Sequence, residues 1–299
     1  MKLILSLVVL AAFACAEDVI VDYVEHSAYG YLENVAVPAA ERIRKAEEEY
    51  LSDSGRIIGG VPAGLGQYPY QAGLISDIIG ITGRGVCGGA LISRDRVLTA
   101  AHCWFDGRNQ AWRLTVVLGS TLLFSGGLRS QTSVVVMHAN WNPSLARNDV
   151  AVVYLPNQVA VTSNISPIAL PSGPVAEETF EGNPAIIAGF GLTSQGGNIT
   201  DGQNLNHIRL QVISNRICSF SFPLIIQASN ICTSGVGNVG PCGGDSGSAL
   251  TVTRNNTVVA VSCIIHANFK IKLSSKLAWR SLATGVRCST ASLFKVVLN

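Results

Sequence analysis

Residues 86–103 read VCGGALISRDRVLTAAHC, two strand-like runs joined by the turn residues Ser93-Arg94-Asp95. A histidine after such a run of small residues is ordinarily a satisfied surface or core side chain. Here Cys87 and Cys103, with fifteen residues between them, could staple the loop that carries His102. Further along, RNDVAVVYL (147–155) puts Asp149 just before an apolar run that reads as a buried strand. An aspartate there is usually a cap or a turn residue. GPCGGDSGSAL (240–250) then sets Ser246 among glycines, whose small size lets backbone amides approach a bound carbonyl.

Each stretch alone is weak. Together they place a His, an Asp and a Ser in that chain order, 47 and 97 residues apart, which fits a nucleophilic triad. A serine hydroxyl holds its proton at neutral pH, so His102 must take it. Asp149 must fix the imidazole tautomer and stabilise the imidazolium. The amides of Gly244 and Ser246 are then free to form an oxyanion hole. A lipase-type hydrolase fails on chain order, which there runs Ser, acid, His.

The 299 residues are long for one ordinary domain and short for two. Hydrophobic residues make up 48% and charged residues only 13%, against ~25% in an average globular protein. That excludes an intrinsically disordered chain, and the 30 glycines favour turns and strands over helices. A formal net charge of +2 gives no reason to expect nucleic acid as a partner. The longest apolar run, Leu3 to Ala14, falls short of the ~20 residues that span a bilayer. With Lys2 ahead of it and Ala14-Cys15-Ala16 behind, it reads as a secretory signal peptide, residues 1–16, and no membrane partner is expected.

Secretion changes how the cysteines read. Cys15 leaves with the signal, and Cys87, Cys103, Cys218, Cys232, Cys242, Cys263 and Cys288 should pair in an oxidising compartment, although seven is odd. Zinc ligation fits poorly, because only His102 and Cys103 lie close together in sequence. Charge is unevenly spread. Residues 1–56 hold ten acids and five bases; residues 57–263 hold nine acids and ten arginines without one lysine; residues 264–299 hold six bases and no acid. The middle of the acidic segment, Ala39 to Tyr50, is built of good helix formers, and the Ser/Asp/Gly loop before Arg56 suits exposure to a protease.

The motifs IIGG (57–60), TAAHC (99–103), NDVAV (148–152), AGFG (188–191) and CGGDSG (242–247) follow in order. On them the chain from Ile57 to about Val261 resembles a trypsin/chymotrypsin-type serine endopeptidase, more narrowly the insect digestive chymotrypsin-like group. The resemblance implies an all-β fold of two six-stranded antiparallel Greek-key β-barrels with the active site between them. His102 and Asp149 would sit on the first barrel and Ser246 on the second. Residues 17–56 would be an activation propeptide, removed by a trypsin-like protease that cuts after Arg56. The new α-amino group of Ile57 would then pair with Asp245 and order the oxyanion hole. Cys87–Cys103 and Cys218–Cys232 match two family disulfides. Gly240 stands six residues before the nucleophile, where trypsin-like members carry an Asp. With Gly243 it implies a neutral pocket that prefers Phe, Tyr, Leu or Met before the scissile bond. Thr121 to Thr132 lacks the paired acids of the family's calcium loop, so neither a metal nor another cofactor is expected. Protein or peptide substrates and a monomeric state complete the expectation.

The tail departs from the pattern. It lacks the family's Ser-aromatic-Gly segment and closing helix. It also offers Cys242 no partner at family spacing, since Cys263 and Cys288 lie 17 and 42 residues after Ser246. Residues 57–263 are therefore read as the protease domain, and 264–299 as an atypical tail replacing the end of the second barrel and the terminal helix. A frameshift, a retained intron, an alternative exon or genuine divergence would each produce it. The same tail leaves room for a catalytically impaired homologue that acts as a binding protein. The all-arginine body suits an alkaline medium such as a gut lumen, because Lys loses its charge near pH ~10.4 while Arg keeps it. Asn198-Ile-Thr200 and Asn255-Asn-Thr257 are glycosylation sequons, whereas Asn164-Ile-Ser166 is followed by Pro167.

Overall fold

The computed structural model describes residues 28–52, 61–192, 204–222, 226–236, 240–254, 257–265 and 292–295. The signal segment, the Arg56–Ile57 junction, the sequon at Asn198, Asn255 and Cys288 lie outside the described residues. Strands dominate. In chain order they are β1 (Val61–Pro62), β2 (Gln71–Ile78), β3 (Arg84–Ser93), β4 (Arg96–Thr99), β5 (Ala111–Leu118), β6 (Leu128–Thr132), β7 (Val135–Met137) and β8 (Ala151–Tyr154). There follow β9 (Pro184–Gly189), β10 (Asn206–Ile213), β11 (Asn230–Thr233), β12 (Ala249–Arg254), β13 (Thr257–Ile265) and β14 (Ser292–Lys295). Helix α1 covers Val37–Ser52 and α2 covers Asn215–Ser221.

All strand pairs are antiparallel, in two curled sheets. The first runs β6-β5-β2-β3-β4-β8-β7. Its edge strands β6 and β7 are separated only by Ser133 and Val134, so one bent strand joins both edges and closes the sheet as a barrel. Thr132 sets the bend: its hydroxyl donates to the Tyr154 carbonyl at 2.7 Å and accepts from the Val134 amide at 3.0 Å. The second sheet runs β10-β11-β14-β13-β12-β9 and closes through β9–β10, with the short β1 added beside β10. The two antiparallel barrels expected from the sequence are present.

Each barrel has its own apolar core. Leu74, Leu91, Val97, Leu114, Val116 and Val153 fill the first, and Phe180, Ile187, Leu210, Ile231, Leu250 and Val252 the second. β2 and β3 are buried almost throughout, which explains their continuous apolar reading in place of alternation. Their second face is covered by the other barrel and by α1. Ala39, Ala40 and Ile43 of that helix join Ile75, Val86, Val117 and Leu123 from the first barrel and Ala188 and Phe190 from the second. The expected helix is thus found, slightly longer, and wedged between the barrels. Its buried positions recur at helical spacing, while Arg44–Glu48 (2.7 Å) and Lys45–Glu49 (3.8 Å) pair on the solvent side.

The tail behaves differently from its composition. β13 continues to Ile265, and β14 comes from the tail itself, pairing with β11 on one side and β13 on the other. Cys242 is also corrected: it is disulfide-bonded, to a cysteine whose side chain is not described. Proximity in space, and not sequence separation, sets which cysteines bond. No helix among the described residues is long and apolar enough to cross a membrane.

Candidate active site

The strand register brings the first two candidate residues together. β4 and β8 pair with Thr99 opposite Ala151. His102 lies three residues beyond Thr99 and Asp149 two before Ala151, so both leave the sheet at the same end. A single 3-10 turn, Ala101–Cys103, carries His102, and the Cys87–Cys103 disulfide ties that turn back to β3, with Cα atoms 6.1 Å apart. Before Asp149 the chain reverses through Ala146 and Asn148, both at positive φ (46° and 56°), a conformation asparagine tolerates better than alanine. Asp149 then holds the histidine twice: Oδ1 accepts from the His102 amide at 2.8 Å, and Oδ2 meets Nδ1 at 2.5 Å. His102 and Asp149 are buried, at 1% and 0% exposure, so water does not compete for the pair.

Ser246 sits on a tight turn between Cys242 and Ser248. The Asp245 amide donates to the Cys242 carbonyl and the Ser248 amide to the Asp245 carbonyl, each at 3.0 Å, which leaves the amides of Gly244 and Ser246 outside the turn's own bonding. Gly244 and Gly247 take positive φ (99° and 87°). The turn is fastened to the first barrel, because the Gly88 amide donates to the Ser246 carbonyl at 2.7 Å. Gly88 has to be a glycine here, since a β-carbon would collide with the Ser248 hydroxyl. Ser246 Oγ and His102 Nε2 are both buried and make no hydrogen bond among the described residues.

Asp245 points away from the serine into the second barrel. Its carboxylate accepts from the Gly191 amide at 2.8 Å and the Cys242 amide at 2.9 Å. It lies so close to Gly189 and Gly191 that a β-carbon at either would strike it, which accounts for both glycines of the AGFG motif. The residue keeps some solvent contact, yet burial of the carboxylate pushes its pKa up to about 6, against the two amide bonds. Gly240 is partly exposed, and Gly243 is buried with its amide plane bonded to Leu192 through the carbonyl, 3.0 Å. Cys218–Cys232 clips α2 to β11 as the resemblance implied. Cys87 and Cys103 lie beside His102, but their sulfurs are committed to the disulfide and offer no thiolate to a metal.

Sequence reasoning missed three residues at this site. Tyr31, 6% exposed, packs its ring edge-on to His102 with centroids 4.3 Å apart. Burial pushes its phenol up to about 12; Ser246 and the Gly244 backbone approach it closely enough to oppose that shift, without well-formed hydrogen bonds. Asp106, fully buried, accepts from the Leu32 amide at 2.8 Å. Glu47 accepts from the amides of Leu123 and Phe124 at 2.5 and 2.8 Å. Nothing in the local sequence marks any of the three. A cavity of about 530 Å³ lies elsewhere, lined by Tyr68, Tyr70, Pro167, Ile168 and Arg209, and none of the candidate residues lines it.

Residues 57–272 match the family model described as Trypsin. A collagenase from Hypoderma lineatum is 38% identical over 209 residues, covering 69% of this chain and 76% of that protein. Achelase-1 from Lonomia achelous is 31% identical over 213 residues, covering 69% and 94%. Brachyurin from Leptuca pugilator is 34% identical over 198 residues, covering 65% and 80%. Among solved structures, HL collagenase superposes with a TM-score of 0.65 at 31% identity, over 80% of this chain and 94% of that one. The motifs, the paired barrels and these alignments all run along the same span, and on that ground the chain belongs to the trypsin family of serine endopeptidases.

Proposed function

We propose that the chain is a secreted zymogen and that Ser246, His102 and Asp149 are its catalytic residues. The supporting observation is the buried Asp149–His102 pair, which holds Nδ1 and leaves Nε2 for the serine. In this reading Nε2 takes the Ser246 proton as Oγ bonds to the substrate carbonyl carbon. The carbonyl oxygen becomes an oxyanion held by the Gly244 and Ser246 amides. His102 returns the proton to the departing amine, leaving an acyl-enzyme. Water then attacks by the same route and releases the acid and the free serine. Activation is cleavage after Arg56 by a trypsin-like protease. The new amine of Ile57 supplies the positive charge that the buried Asp245 carboxylate lacks; losing one side of such a pair costs about 3–5 kcal/mol.

Gly240 and Gly243 supply no charge for a basic side chain, so cleavage follows large apolar or aromatic residues. The protein acts as a monomer in a secreted, alkaline compartment, the gut lumen, where its role is digestive. The arginine-only body supports that medium. Because one relative is named a collagenase, collagen belongs among the substrates to be tried.

The test is the protein cleaved after Arg56 and freed of its N-terminal fragment, treated with a fluorophosphonate probe and then with peptide anilides. The expected result is labelling at Ser246, abolished in Ser246→Ala, with Phe and Leu preferred over Arg and Lys. No labelling of the folded, correctly cut protein would instead identify a non-catalytic homologue.

A further inference from the structure

The segment ahead of Arg56 touches far more of the cleft than a tail awaiting cleavage requires. Tyr31 covers the His102 ring and turns its hydroxyl toward Ser246 and the Gly244 backbone. Leu32, Ala36 and Val37 are buried in the same cluster as the first-barrel core. Val35 and Ala39 lie over Gly243, and Ile43 over Gly244, at the distance where a β-carbon on either glycine would meet them (3.3 to 3.8 Å). The segment is also anchored by polar contacts along its length. The Ala28 amide donates to the Pro143 carbonyl at 3.0 Å, the Leu32 amide to Asp106, and Glu47 caps the amides of Leu123 and Phe124. With these contacts in place Ser246 is 0% exposed and its Oγ is buried.

We propose that residues 28–52 are a tethered inhibitor of the substrate cleft, with Tyr31 and α1 as its anchors, and that this segment stays bound after the cut at Arg56 until it is displaced or degraded. The proposal rests on the reading of the cleft as catalytic and of Arg56 as the activation site. Cleavage beyond Ser52 breaks one peptide bond and none of the contacts above. It does convert an intramolecular plug into a bimolecular one, which dilution can release. Activation therefore takes two events, the cut and the departure of the fragment.

The experiment uses the full chain, cut after Arg56 and not denatured. Fluorophosphonate labelling of Ser246 is followed over a dilution series, and the N-terminal fragment is followed by size-exclusion chromatography. The expected result is a fragment that co-elutes with the body at high concentration, and labelling that rises ~10-fold or more on dilution. Tyr31→Ala and Ile43→Asp should move the onset of labelling to ~30-fold higher protein concentration or beyond, as removal of a buried anchor does. The wild-type dilution series decides the matter if either variant fails to fold. Full labelling at every concentration as soon as the bond is cut, or loss of the fragment on the column, overturns the proposal. A fragment retained on the column, with no labelling even after it is washed away, supports the docking and overturns the catalytic reading instead.

Discussion

Asp149 holds His102 through both its backbone amide and its ring, so one side chain sets where the imidazole sits and which nitrogen carries the proton. Asp149→Asn keeps an oxygen for the amide but no longer enforces the tautomer. The expected outcome is a fall in kcat of roughly 10⁴ with the fold retained, read by single-turnover kinetics beside a melting curve. Glu47 is the second residue whose chemistry is exposed to test. It is 1% exposed, and burial pushes its carboxyl up to about 7, against the Leu123 and Phe124 amides and the nearby Arg129 guanidinium. A carboxyl raised from 4.5 takes up a proton on docking. Its contribution to docking is therefore full below about pH 4.5, is lost as pH rises through about 7, and stays lost in alkali. Hydrogen exchange of α1 in the uncut chain should speed up over that window, by no more than ~3 kcal/mol in opening free energy, and Glu47→Gln should flatten the profile. An alkaline medium would then favour release of the segment.

At the scale of elements, short covalent ties hold what short strands alone would not. The Cys218–Cys232 disulfide joins positions 14 apart in sequence, between α2, capped by Ser214 at 3.3 Å, and the four-residue β11. Replacing both cysteines by alanine should lower stability by roughly 3 kcal/mol, measured by urea unfolding of the uncut protein. The same scale explains why Asp149 looked like a mere turn residue in sequence. Its position before β8 becomes meaningful only through the β4–β8 register, because a one-residue slip would turn every side chain of β8 to the other face. α1 was legible as a helix from its composition, yet its apolar stripe does not say which surface it covers.

For the molecule as a whole, the second barrel depends on a strand from the tail. β14 fills the gap between β11 and β13, and without it both would present open edges. A chain ending at residue 290 should fail to give soluble monomer, as size-exclusion chromatography of the expressed protein would show. A well-folded truncated monomer would mean that β14 is dispensable. The tail was unreadable as barrel in sequence because strand pairing runs through backbone amides and carbonyls, which almost any residue supplies.

Residue type and spacing were enough to mark the candidate site. A histidine, an aspartate and a serine in that order, glycines around the serine, and two cysteines flanking the histidine are properties of residue type and spacing. The two-barrel class came through the family resemblance that five motifs carry. The fold was needed to show that residues 28–52 lie over the site, that Asp106 and Glu47 anchor them, that Cys242 is bonded and that the tail supplies a barrel strand. These contacts run from Ile265 and Ser292, 27 residues apart, to Val35 and Gly243, 208 apart, and what selects them is shape complementarity and the pairing of buried polar groups, which leave no period in a linear sequence.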